Sequence, residues 1–240
     1  MQNTALKKPR NFDIPVEVRI SSRAKRMALR LDSSARVMNL VVPRRANIDK
    51  AYKFAQEHEE WIRQKIAELP KPILFKNGAI IPVLGQNRRI NVIYDKDLKS
   101  TRFTLNRYEI KVVTNQRDPS ARIIRFLRQE ARETLTGLSV KKAARIGKKI
   151  SNVQVRDTKT RWGSCSTGGR LSFSWRLIFA PWEVIDYLVA HEVAHLVHMN
   201  HSKRFWTLCE SLSDDYKGGK DWIADHGVEL MRYGGYSDQK

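Results

Sequence analysis

Apolar and polar positions alternate near the start of the chain. Val16, Val18 and Ile20 recur with a period of two, as do Met27, Leu29 and Leu31, and the run 37–42 ends at Pro43. This period predicts three short strands. From Ile48 the spacing lengthens. Tyr52, Ala55, Trp61 or Ile62, Ile66 and Leu69 mark the inner face of a helix over 48–69, which Asn47 can cap and Pro70 and Pro72 end. Strand character returns over 79–84, 89–94, 101–105 and 108–113, with turns at Gly85-Gln86-Asn87 and Asn106-Arg107. The pattern predicts a mostly antiparallel, β-rich N-terminal region with one helix.

Asp118-Pro119 then opens a long amphipathic helix, Asp as cap and Pro in the first turn. Ile123 or Ile124, Leu127, Ala131, Leu135 and Leu138 form its apolar stripe. Arg122, Arg125, Arg128 and Arg132 lie off the stripe as a basic face, and Lys141, Lys142, Arg145, Lys148 and Lys149 follow. Residues 153–155 and 170–175 read as two short strands with a turn at Thr167-Gly168-Gly169, and helices dominate from there on. The expected class is α+β. Its parts are a basic β-rich region, 1–115, and a helical core with a short sheet, 116–240, or one continuous body over 15–235.

Composition narrows the function. The chain has 240 residues, 41% apolar and 29% charged, which is globular. The first residues lack an apolar segment behind their basic ones, so no secretory signal is expected. No run approaches the roughly 18 apolar residues of a membrane span. Cys165 and Cys209 are the only cysteines. Two are too few for a disulfide framework or a four-thiolate zinc site, and a reducing cytoplasm is the expected location. The net charge is +20, and it is uneven. Residues 161–240 hold 9 Lys+Arg against 10 Asp+Glu, whereas residues 1–160 hold 36 against 15. A basic region of this kind points to an acidic partner such as nucleic acid.

The chemistry concentrates in His191-Glu192-Val193-Ala194-His195, within an apolar, helix-compatible run. Residues four apart share a helix face, about 6 Å apart along the axis, so two imidazoles can converge on one metal ion. Glu192 is rotated away from the ligand face and can address a water at the ion. A chain with 6 His and 12 Glu shows this spacing by chance about 0.7% of the time. Catalytic zinc takes a third protein ligand. His201 can return to the ion if the chain reverses at Asn200 in a left-handed conformation. Glu210 on the next helix is an alternative. His198 would lie about 10 Å along the axis from His191 in a straight helix, which suits a substrate contact better than ligation. Phe205, Leu208, Cys209 and Leu212 form a packing stripe, with Ser202 as the cap of their helix. Upstream, Gly163 implies a turn or a close backbone approach. Arg161 can bind a substrate carbonyl or form an ion pair. The 170–175 strand is a candidate edge for an extended peptide. Asp186 or a backbone carbonyl can orient a ligand imidazole.

Arg161-Trp162-Gly163-Ser164-Cys165-Ser166, the strand region 171–177, Ala180-Pro181, Asp186-Tyr187, His191-Glu192-x-x-His195 and Asn200-His201-Ser202-x-x-Phe205-Trp206 together resemble the YgjP-like metallopeptidases, relatives of the SprT-like and WLM zincins. The likeness runs over roughly 15–235 and is most specific over 161–206. It implies a zincin-type core with one zinc ion per chain on His191, His195 and His201. Glu192 is the implied general base and acid, and the implied substrate is a protein or peptide. Tyr216, in the family-like segment 214–217, is a candidate for a hydrogen bond to the oxyanion. The competing class is a nucleic-acid-binding protein with a structural or degenerate zinc site. A third reading joins the two as a DNA-associated protease, since SprT-like relatives act on DNA-attached proteins.

Overall fold

The computed structural model describes residues 13–158 and 160–234. They form the α+β fold that the pattern predicts. The chain divides into two compact units, Met1–Lys71 and Pro72–Lys240. The strands over 80–114, grouped above with the N-terminal region, belong to the second unit.

The first unit holds β1 (Val16–Ser21), β2 (Ala28–Asp32), β3 (Val37–Pro43), α1 (Ile48–Glu57) and α2 (Glu59–Ala67). β3 is central, parallel to β1 and antiparallel to β2. Met38, Leu40 and Val42 alternate onto one face of β3 and bury against Ala51, Tyr52 and Ala55 of α1 and Ile62 of α2. Asn47 caps α1 as expected, accepting from the Asp49 and Lys50 amides. The single helix expected here breaks at His58. Its Nδ1 lies 2.8 Å from Phe54 O, the carbonyl its own amide would take in a continued helix. The amide bonds Ala55 O instead. Arg36, at a φ of 53°, donates to the Ile66, Leu69 and Pro70 carbonyls and so satisfies the C-terminal end of α2.

The second unit opens with β4 (Ile80–Val83), β5 (Gln86–Tyr94), β6 (Arg102–Leu105) and β7 (Glu109–Thr114), in the order β4-β5-β7-β6. The hairpin turn sits at Leu84-Gly85, both at positive φ as a primed turn needs, so Gln86 and Asn87 already belong to β5. α3 (Ser120–Arg145) buries Ile123, Leu127, Ala131 and Leu135 in the main core. Asp118 accepts from the Ser120 amide at its start. A second sheet joins β8 (Asn152–Arg156), β9 (Gly163–Cys165) and β10 (Arg170–Ser174) in the order β8-β10-β9. β10 is therefore flanked on both sides and cannot take an extended peptide, which corrects the expectation for 170–175. The edges of this sheet are β8 and β9, and β9 is three residues long, too short for sequence periodicity to detect.

The helices α4 (Trp182–Ala194), α5 (Lys203–Leu212) and α6 (Tyr216–His226) follow a short 3₁₀ turn, Trp175–Phe179. α4 is buried almost throughout, as an apolar helix surrounded by its own domain must be. Gly219 lets α6 approach it: a Cβ there would lie 2.6 Å from Glu183 O. Lys142 of α3, expected within a basic surface run, is instead 3% exposed. Its Nζ lies 2.5 Å from Asp186 Oδ1 of α4 and donates to Leu212 O at the end of α5. Asp186 Oδ2 accepts from Ser213 Oγ at 3.1 Å and the Asp214 amide at 2.8 Å. Among the described residues, no helix is long and apolar enough to cross a membrane.

Candidate metal centre

His191 and His195 sit one helical turn apart at the end of α4, where the period of 3.6 puts both imidazoles on one face. The chain then turns back through 196–202, and Ser202 caps α5 by accepting from the Phe205 amide. Asn200 is not left-handed, since Arg36 and Leu84 are the non-glycine residues at positive φ among those described. The reversal is made by a hydrogen-bonded turn at 195–197 and bends at 199–200, and it brings His201 beside the other two. The three rings form a near-equilateral triangle, with centroids 5.0, 4.8 and 5.0 Å apart.

The donor atoms suit a metal. One nitrogen of each imidazole lies within 4.8 Å of the others, and His191 Nε2 and His201 Nε2 are 3.2 Å apart. A tetrahedral shell with bonds of about 2.0–2.1 Å sets its nitrogens about 3.3 Å apart. Burial pushes His191 down to about 4, helped by the neighbouring imidazoles and the Lys220 cation. Burial also lowers His195. Both rings are neutral at physiological pH, as ligands must be. His195 Nδ1 donates to His198 O at 2.9 Å, which leaves its Nε2 lone pair for the site. The backbone carbonyl thus orients this ring. Asp186, the other candidate for that task, is occupied by Lys142, Ser213 and Asp214.

An aromatic floor fixes the triangle. Phe205 is fully buried, and its ring lies 4.9, 4.5 and 4.7 Å from those of His191, His195 and His201. Trp206 stacks on His201 at 5.3 Å. Tyr216 packs edge-on against Trp206 and Tyr187, and Tyr187 against His191. The structure adds Lys220, which sequence reading missed. Its Nζ lies 4.5 Å from the Trp206 ring centroid and donates to Tyr216 Oη at 3.2 Å. Its signal in sequence is only a Tyr-x-x-x-Lys spacing, which is common on helix surfaces.

Glu192 is 4% exposed, and its Oε2 has no hydrogen-bond partner among the described residues. Burial pushes its carboxyl up to about 8, against the opposing pull of Arg161. Arg161 is exposed, and His198 lines a groove on the outer side of α5 with Lys203, Thr207 and Ser211. Cys165 stays outside the group of donor atoms, and Cys209 is fully buried on the packing stripe.

The expected close approach at Gly163 is to Glu192. A Cβ there would overlap Glu192 Oε1 and lie 2.8 Å from Cδ. β9 therefore passes directly over the carboxylate, and only a residue without a side chain leaves it in place. Gly163→Ala is expected to displace the carboxylate by about an ångström and lower any turnover about 100-fold, with bound metal unchanged. Steady-state kinetics beside metal analysis reads this. Wild-type turnover in the variant would show that the contact has slack.

A family profile, the YgjP-like metallopeptidase domain, matches residues 25–226. No curated protein and no solved structure matches the chain.

Proposed function

The chain belongs to the YgjP-like metallopeptidase family, and from that premise we propose that it is a zinc-dependent peptidase with Glu192 as general base and acid. The observation that carries this reading is a buried carboxylate next to three converging imidazoles, its Oε2 without a hydrogen-bond partner among the described residues and its Oε1 where a Cβ at Gly163 would fall. His191, His195 and His201 would hold the ion. When bound, zinc supplies Lewis acidity, lowering the pKa of a water and polarising the scissile carbonyl.

The chain's own groups do the rest. Glu192 Oε2 takes the proton of the attacking water and returns it to the leaving amine as the C–N bond breaks. Tyr216 Oη, accepting from Lys220, keeps its own hydrogen free for the carbonyl oxygen. Arg161 and His198 are further candidates for substrate contact. An extended peptide would add to the free edge of β9 above Glu192. The two free thiols fit a reducing compartment, and we place the protein in the cytoplasm. A purely structural zinc site would have no use for Glu192 or for the space that Gly163 leaves.

The test joins metal analysis to proteolysis. The expected result is one zinc per chain and cleavage of an unstructured protein such as casein. Chelation should abolish cleavage and added zinc should restore it. His201→Ala is expected to lose both metal and cleavage. A zinc-loaded chain that cleaves no protein or peptide would overturn the peptidase reading.

A further inference from the structure

The first unit carries a second surface with its own chemistry. In its sheet, Ser21 lies opposite Pro43, and Ala28 opposite Val41. The β1–β2 turn, 22–27, and the segment 44–47 therefore leave the sheet at the same end. These two segments and the first turn of α1 carry Arg23, Lys25, Arg26, Arg44, Arg45 and Lys50, all exposed. Asp49 is their only carboxylate. None of the six cationic groups has a hydrogen-bonded or ion-paired partner among the described residues. Other cations of the same unit are engaged: Arg36 on carbonyls, Arg63 on Glu59, Lys65 on Glu68 and Arg19 on Glu17. Arg30 on β2 and Lys53 on α1 are also exposed without such a partner among the described residues, so the strand register gathers six of the unit's eight unpaired cations at one end.

We propose that this end of the first unit docks the sugar-phosphate backbone of a nucleic-acid duplex. Six cations on adjacent segments exceed what a small anion needs. They suit a polymer that carries a charge every 3.4 Å or so along each strand. The same segments offer no aromatic side chain, so they lack the stacking platform that single strands require. They also lack an apolar anchor for a lipid surface beyond Ile20, which is 52% exposed at the end of β1. The contact is to phosphates, so it is indifferent to sequence and steeply dependent on salt.

The test uses the full chain and labelled DNA and RNA duplexes of about 20 base pairs, followed by fluorescence anisotropy between 50 and 200 mM salt. Binding is expected at 50 mM and should fall linearly on log–log axes as salt rises. The triple variant Arg23→Gln, Lys25→Gln, Arg26→Gln should bind at least tenfold more weakly at 50 mM. Its salt slope should be shallower by about 3, since each phosphate no longer neutralised removes about 0.9. Arg44→Gln with Arg45→Gln should reduce the slope by about 2. The control is Arg122→Gln, Arg125→Gln, Arg132→Gln on α3, which removes the same charge from the other unit and should leave affinity unchanged. All these side chains are without a structural partner among the described residues, and circular dichroism checks that each variant stays folded. Absence of duplex binding at 50 mM overturns the proposal. So does an equal loss in the α3 control, or capture by phosphatidylserine vesicles in place of either duplex. Binding is read without turnover, so the result stands apart from the peptidase assignment.

Discussion

Glu192→Gln is expected to lower turnover about 10²–10⁴-fold while metal content stays at the wild-type level. The substitution is nearly isosteric, so the side chain still fits the slot under Gly163, where a Cβ would already overlap Oε1. An amide cannot accept the water's proton, and that is the whole of the change. Burial holds the carboxyl above the ordinary carboxylate range, and a more basic carboxylate takes a water's proton more readily. Kinetics on a protein substrate and metal analysis of the same preparations decide the matter. Turnover within threefold of wild type would remove Glu192 from proton transfer. Loss of metal in the variant would assign it to holding the site instead.

The second large effect is expected on stability. Lys142→Met leaves the Asp186 carboxylate buried without its cation, at a cost of about 3–5 kcal/mol. For a unit of this size that corresponds to a fall in Tm of roughly 6–20 °C. Adding Asp186→Asn should recover a good part of the loss, because the neutral amide oxygen still accepts from the Asp214 amide. Thermal unfolding of wild type, single and double variants reads both numbers. A single variant within 1 kcal/mol of wild type would mean that water reaches Asp186. Asp186 lies five residues before His191 on α4, and its pairing with Lys142 ties α4 to α3 and to the end of α5, so loss of the pair should also loosen the imidazole triangle.

How much of this the sequence discloses follows from the range of each interaction. His191 and His195 are legible because helical periodicity alone places them together. His201 is nearly so, since a short reversal suffices, although a turn at 195–197 and bends at 199–200 replace the left-handed Asn200 expected there. The break at His58 turns on one ring nitrogen reaching the Phe54 carbonyl, a contact that apolar spacing does not encode. Gly163 and Glu192 are 29 positions apart and meet only through the packing of β9 over α4, so the sequence hints at a close approach without naming the partner. Lys142 is hidden in a run of cations, four of which do face solvent or other carbonyls. Its burial depends on an aspartate 44 residues away. The class of fold was legible, but the grouping of strands was not. The apolar pattern marks each strand without saying which unit will bury it.

Three imidazole nitrogens with no carboxylate among them also decide which ions can compete for the site. Magnesium and calcium prefer oxygen donors and six or more ligands, so their millimolar abundance in cells gives them little purchase here. Among the borderline ions the donor set discriminates weakly, and copper and nickel bind imidazole at least as readily as zinc. Were an ion bound, selection within that group would fall to geometry, where Nε2 atoms 3.2 Å apart suit a tetrahedral shell, and to the supply of ions, so the metal found in a preparation would also report its host's metal handling.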